Sequence, residues 1–370
     1  MRLLGREQPS EVSHVLVGNH ERSITSGAAP PAAAPTDRLP ARRMAAGVAV
    51  PVALLALTGA ASLLIGSGEV GPVRSWREVP GGARDPEAAF AVWHLRGPRT
   101  LVAMVVGAAL GTAGAALQAV ARNPLAEPGL LGVSAGASTG VVLVIALGGS
   151  AATLGPYAAV LGALLGCLAA VGAARLRGVG DDPLRLVLAG AALSGLLGSL
   201  TSVLLLVDNR TADEVRFWTV GGVAGRDLGA LADVAPALLL GAVLLLLVAR
   251  PLSAMALGEP AAAGLGHRPR RARLTAVVAV ALLVGGATAV AGPIGFVGLV
   301  VPFAARALVG PDLRRVLVPS LLLGPVVVVA ADVVSRLLVR PYEMPLGVVT
   351  ALIGAPVLVV VARARRVPAL

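Results

Sequence analysis

Ten apolar runs recur along this chain, and most are too long and too free of charge to be buried inside a soluble domain. They span residues 44–66, 100–121, 133–148, 154–174, 184–207, 229–249, 275–291, 296–309, 316–339 and 346–362. In hydrocarbon every backbone N–H and C=O must be satisfied within the segment, so runs of this kind cross as helices. Hydrophobic residues make up 56% of the 370 and mean hydropathy is +0.84, above the soluble range. The expected fold is therefore an all-α polytopic membrane protein of about ten transmembrane helices. The first run follows Arg42 and Arg43, is too long for a signal-peptide core and has no cleavage site, so it reads as a span. The eighth is short for a bilayer, which fits a tilted or broken helix, or one partly covered by protein. Residues 1–43 are polar, with Pro, Ala and Ser and no apolar period. They read as a disordered cytoplasmic tail, which leaves 44–370 as the transmembrane domain.

Ten spans put both termini on one side. All 31 basic residues are arginine, and about two-thirds of them fall in segments on the side of the termini. That bias places both termini in the cytoplasm. Trp76, Trp93, Tyr157, Trp218 and Tyr342 fall at or beyond the opposite ends of the spans, as an outer aromatic belt does. A net charge of +11 does not indicate nucleic acid here, because the arginines sit between apolar runs as membrane anchors. Lipid is the partner that this distribution implies.

Few residues are placed for chemistry. Without lysine the chain has no Walker A loop and does not hydrolyse ATP by that route. His14, His20, His94 and His267 lie outside the spans and show no metal-ligand spacing, so no cofactor or metal is expected. Cys167 is the single cysteine, in an apolar run, so no intrachain disulfide forms. Ser134 and Ser138 lie among glycines with no His or acid nearby, as helix-packing residues do. Gly107, Gly111 and Gly114 recur at helical spacing and allow close helix approach. Arg185 follows Asp181 and Asp182 at a span edge, where a local ion pair is expected. Asp332 and Arg336 are four residues apart, so either they bridge internally or Arg336 points outward as a docking charge. No series of intramembrane acids of the kind a proton-driven carrier uses is present.

Polar interruptions say more. RNPLAEPGLLG (122–132) and AGPIGFVGLVVPF (291–303) break the apolar sequence with prolines and glycines, and such backbone is tolerated at membrane depth where it lines a cavity or is covered. The longest interruption, 250–274, holds five arginines and one acid, Glu259. A short helix fits its middle, with Glu259 as cap, Pro260 at the first helical position and Gly266 as terminator. It reads either as a solvated loop held inside by its arginines or as a contact for a cytoplasmic partner.

The stretches LRGPRTLVAMVVGAALGTAGAALQAVARNPLAEPGLLGVSAGA, LGEPAAAGLG, GPIGFVGLVVPFAARALVGPD, ADVVSRLL and EMPLGVVTALIGAP, in that order, resemble the FecCD-type permeases. These are the membrane subunits of ATP-binding-cassette importers for iron–siderophores, haem and cobalamin, and the resemblance runs from about 95 to 361. It implies a type II ABC importer permease of ten helices in the bacterial cytoplasmic membrane, without ATPase activity of its own. It further implies a second permease copy, identical or closely related, with the path at the subunit interface. Two cytoplasmic ATPase subunits that bind ATP and Mg, and an extracytoplasmic substrate-binding protein, complete the importer. A ferric siderophore is the expected cargo, with haem or cobalamin as the alternative and a stand-alone secondary carrier as the competing mechanism. By resemblance, 250–274 is the cytoplasmic coupling loop, and Leu257, Gly258, Glu259, Ala262, Leu265 and Gly266 match its ATPase-coupling segment. Arg96, Arg99 and Arg336 match arginines that meet acidic residues of the binding protein. Two positions depart from the pattern: Phe303 stands where the family has His after the VVP motif, and Pro260 replaces an acidic or polar residue.

Overall fold

Ten helices occupy the ten apolar runs in the computed structural model, which describes residues 41–363 except 69, 79–84, 176–182, 216–217 and 341. They are α1 (Ala41–Leu64), α2 (Gly97–Ala121), α3 (Val133–Ala146), α4 (Ala151–Arg175) and α5 (Pro183–Val207). The second half adds α6 (Leu228–Met255), α7 (Pro269–Ala291), α8 (Val297–Val309), α9 (Leu313–Leu338) and α10 (Leu346–Arg363). Among the described residues 7 helices are long and apolar enough to cross a membrane, while α3, α8 and α10 are shorter apolar helices. The tail expected over 1–43 lies outside the described residues up to position 40, and 41–43 form the first turn of α1. The expected pairing of Arg185 with Asp181 and Asp182 also lies outside them.

Three helices, α2, α7 and α9, form the centre, and most of each is buried. Helix α2 packs on α9, α7 and α8; α1 leans on α9; α6 and α4 flank α7; α3 and α5 close the far side. The glycines make this possible. A Cβ at Gly107 would run into the backbone of Gly324, one at Gly111 would lie 2.8 Å from the Ser320 carbonyl, and one at Gly114 would strike Gly298. Helix α3 meets α4 in the same way, Gly136 and Gly140 against Gly162 and Ala158. Without side chains between them the backbones approach closely, which gives van der Waals contact where lipid offers no hydrophobic drive.

Helix α8 has 13 residues, a rise of roughly 20 Å against a hydrocarbon core of about 30 Å. It begins inside the bundle, at Phe296, a non-glycine in the left-handed region with φ 68. There the two irregular stretches meet. The Glu127 carboxylate accepts the Phe296 N–H, and Pro128 packs on Gly298. Broken backbone is thus covered by protein and bonded, as membrane depth requires.

Two boundaries differ from the sequence expectation. The helical chain leading into α2 reaches back to Pro86 through a π-helical stretch, Ala91–Arg96. The central interruption is also shorter than 250–274, because α6 continues to Met255 and α7 starts at Pro269. Arginine side chains are long enough to extend their charges beyond an otherwise apolar helix, so polar residues alone do not mark its end.

Candidate functional site

Residues 256–268 join α6 to α7 around a short helix, Glu259–Gly264. Gly258 precedes it with φ 105, and Gly266 follows with φ 81, two backbone conformations that exclude most side chains. Glu259 does not cap the helix, as the sequence had implied. It is the first helical residue, and its carboxylate pairs with Arg273 on α7, which fixes the helix against the bundle. Ala262 is fully buried on the inner face, whereas Leu257 and Leu265 stand 74% and 64% exposed at the two ends. Two large apolar side chains are thus held out from a braced turn.

The brace extends further. Arg122, at the end of α2 in the left-handed region, donates to the Met255 carbonyl at 2.9 Å. Ser253 donates to Asp312 at 2.9 Å, and Asp312 also caps α9 through the Arg314 N–H. The end of α6 is therefore tied to α2 and α9. Beside it lies a cleft of about 1210 Å³. Arg122, Arg250, Arg314 and His267 line this cleft, with Asp312 as its acid.

At the other end of the bundle the arginines expected as docking charges are turned inward. Arg96 is 7% exposed and donates to the carbonyls of Leu63 (3.1 Å), Leu64 (2.9 Å) and Val70 (2.8 Å) and to Ser75 Oγ (2.7 Å). Arg336 is 1% exposed; it donates to the carbonyls of Ser62 (2.8 Å) and Ile65 (3.0 Å) and pairs with Asp332. Arg340 reaches the Gly66 carbonyl at 3.1 Å. Three arginines thus gather the carbonyls where α1 ends, which have no helical partner and lie at the negative end of its dipole. Arg99 donates to both Asp332 oxygens and, at 2.7 Å, to Glu343. Ser67 completes Glu343 at 2.8 Å. Neither Arg96 nor Arg336 is presented to a partner in this conformation, which corrects the expectation of exposed docking charges. The physical reason is that a buried Asp332 and a bare helix end both require donors. Asp332 and Arg336 bridge internally, one of the two arrangements their spacing allowed. Asp85 and Glu87, the acids closest before Arg96 and Arg99 in sequence, are held by Arg74. Burial pushes the Glu343 carboxyl up, but the Arg99 charge and the bonds from Ser67 and Arg99 outweigh it and hold it below the usual glutamate range.

Inside the bundle, a third group escaped the sequence reading. Gln118 on α2 is fully buried and accepts from Arg306 on α8, itself 5% exposed. The signal was present in the sequence, because both are polar residues flanked by apolar ones on opposite sides of the 122–132 and 291–303 breaks. Phe303 sits half-buried one turn before Arg306.

These features define a polytopic membrane permease with a braced helical projection at one end and a buried ion network at the other. The chain belongs to the FecCD transport family, whose profile matches residues 54–364. It is 41% identical over 319 residues to the ferric enterobactin transport system permease protein FepD of Escherichia coli (strain K12), covering 85% of this chain and 95% of that one. It is 39% identical over 306 residues to the vitamin B12 import system permease protein BtuC of Vibrio cholerae serotype O1, covering 80% and 87%. Among solved structures it is similar to a putative metal-chelate type ABC transporter in an inward-facing conformation. The TM-score there is 0.67 at 30% identity, covering 84% of this chain and 96% of the other.

Proposed function

We propose that this chain is the membrane subunit of an ATP-driven importer that carries a ferric siderophore inward. The observation that supports this most is the 41% identity with a ferric enterobactin permease across nearly all of that protein's length. Haem or cobalamin is the second reading, supported by the 39% identity with a B12 permease.

In this reading Leu257, Gly258, Glu259, Ala262, Leu265 and Gly266 seat in a cytoplasmic ATPase subunit, which binds ATP and Mg. Exposed Leu257 and Leu265 enter its groove, and the ties to Arg122 and Asp312 transmit the motion as a rigid body. Both termini lie in the cytoplasm of a bacterial cell, as the arginine bias supports. An extracytoplasmic binding protein lands on the opposite end, where Arg96, Arg99 and Arg336 frame the surface from below.

A second permease copy meets this one along α5. That helix is the least covered span, 6% buried in its apolar window. Its exposed side includes Ala192, Gly195, Ser199 and Ser202, small and polar residues that suit helix contact or a wet path better than lipid. Reconstitution with the ATPase and binding protein tests the reading. ATP-dependent uptake of a radiolabelled ferric siderophore supports it, uptake of haem or cobalamin alone favours the second, and uptake without ATP overturns both.

A further inference from the structure

A groove at the arginine-rich end lies apart from the proposed path and shares only its Asp312–Arg314 edge with the cleft beside the coupling segment. It lies between α1 and α9, on the outside of the bundle, with a volume of about 430 Å³. Met44, Val48, Val309 and Val318 form its wall, and Arg314 and Arg315 stand at its rim. Met44, Val48 and Val318 are 42–49% exposed. The wall is therefore apolar and open, and in a membrane something with an apolar tail fills it.

Charge at the rim is lopsided. Arg42 and Arg43 directly precede Met44 on α1 and are exposed, so the start of the helix that forms one wall is basic as well. The one lining acid, Asp312, is already engaged. It accepts from Ser253 and from the Arg314 N–H, and lies 3.7 Å from Arg315. Arg314 and Arg315 also stand in the first turn of α9, where the helix dipole adds positive potential. Basic residues over an apolar wall at a helix–helix seam match a ligand with a phosphate head and an acyl tail. A zwitterionic lipid would bring its own cation to the same rim.

We propose that this groove is a binding site for an anionic phospholipid, its phosphate held by Arg314 and Arg315 and an acyl chain laid along Met44, Val48 and Val318. Because the lipid bridges α1 and α9, it fastens the first helix to the core at the end opposite the arginine ties of Arg96 and Arg336. The site depends on which end of the bundle holds the arginines and not on the cargo, so it stands apart from the functional reading above.

The test titrates the purified, detergent-solubilised permease with phosphatidylglycerol, reading bound lipid by native mass spectrometry and the unfolding midpoint in parallel. Phosphatidylglycerol is expected to bind and raise the midpoint. The R314Q/R315Q variant is expected to weaken that binding by roughly tenfold or more, as two basic contacts are worth. R363Q, which removes an exposed charge on α10, keeps it. V48W leaves every arginine in place but fills the groove, and is expected to lose the lipid too. If R314Q/R315Q does not fold, V48W decides: binding unchanged from wild type overturns the proposal. Equal stabilisation by phosphatidylcholine overturns it in favour of ordinary lipid solvation. An equal shift from inorganic phosphate overturns it in favour of a plain anion site.

Discussion

Asp332 is the residue on which the buried network turns. It holds Arg99 and Arg336 at once, is 1% exposed, and has both oxygens committed. Asp332→Ala is expected to cost about 3–5 kcal/mol, because it strips buried Arg336 of its paired carboxylate and leaves Arg99 with Glu343 alone. The unfolding midpoint and yield of inserted protein in detergent read that loss. Arg74→Ala, which breaks exposed pairs with Asp85 and Glu87, is expected to leave the midpoint near wild type. Glu343, held below its ordinary range by Arg99 and Ser67, gives the network a pH dependence. Its folded pKa is lowered, so its contribution is present above the ordinary glutamate range and is lost as pH falls through the folded value. Wild type should therefore lose stability below about pH 4.5. E343Q should be less stable at neutral pH, and the gap should close in acid; a gap that stays constant from pH 7 to pH 3 contradicts the assignment. The Asp332–Arg336 pair was legible as one of two outcomes because four-residue spacing is a local fact. The burial of Arg96 was not. Its partners are main-chain carbonyls of Leu63, Leu64 and Val70, which look alike in every sequence.

Glycines set the element scale. Gly107→Ala is expected to destabilise by about 1–3 kcal/mol, since both groups in the way are backbone of α9 and neither can turn aside. Gly195→Ala faces open space on α5 and is expected to leave the isolated subunit's midpoint unchanged. The same substitution tests the proposed subunit contact, where it is expected to shift the dimer equilibrium measured by light scattering in detergent. All ten apolar helices were legible as apolar runs, 7 of them long enough to cross a membrane, because such a run is a strong, additive signal. Their ends were less so. Helix α6 carries Arg250 and Pro251 and still continues to Met255, where Arg122 of α2 takes the Met255 carbonyl. The short 13-residue length of α8 was visible, but not its reason. That reason is the meeting of Glu127 with Phe296 across 169 positions of chain.

For the whole molecule, the orientation drawn from arginine placement has a direct check. In a chain with Cys167 replaced by Ala, a cysteine at exposed Ala224 is expected to react with an impermeant thiol reagent from outside intact cells. One at exposed Arg271 is expected to react only after permeabilisation. The reverse pattern contradicts cytoplasmic termini.

In the proposed function, ATP hydrolysis in a partner subunit drives this bundle through the Leu257–Gly266 projection. The proposed coupling segment rests on resemblance, while its mounting on Arg122, Asp312 and Arg273 emerged only with the fold. Leu265 makes the sharpest probe, because it is 64% exposed and its replacement leaves the buried side of the projection intact. The deciding measurement is substrate-stimulated ATPase activity and uptake, side by side, in proteoliposomes of the complete importer with Leu265→Asp. Loss of both by about tenfold or more, in a complex that still inserts with a wild-type unfolding midpoint, is the predicted result. Wild-type rates for both in that variant would overturn the assignment of this projection to ATPase coupling.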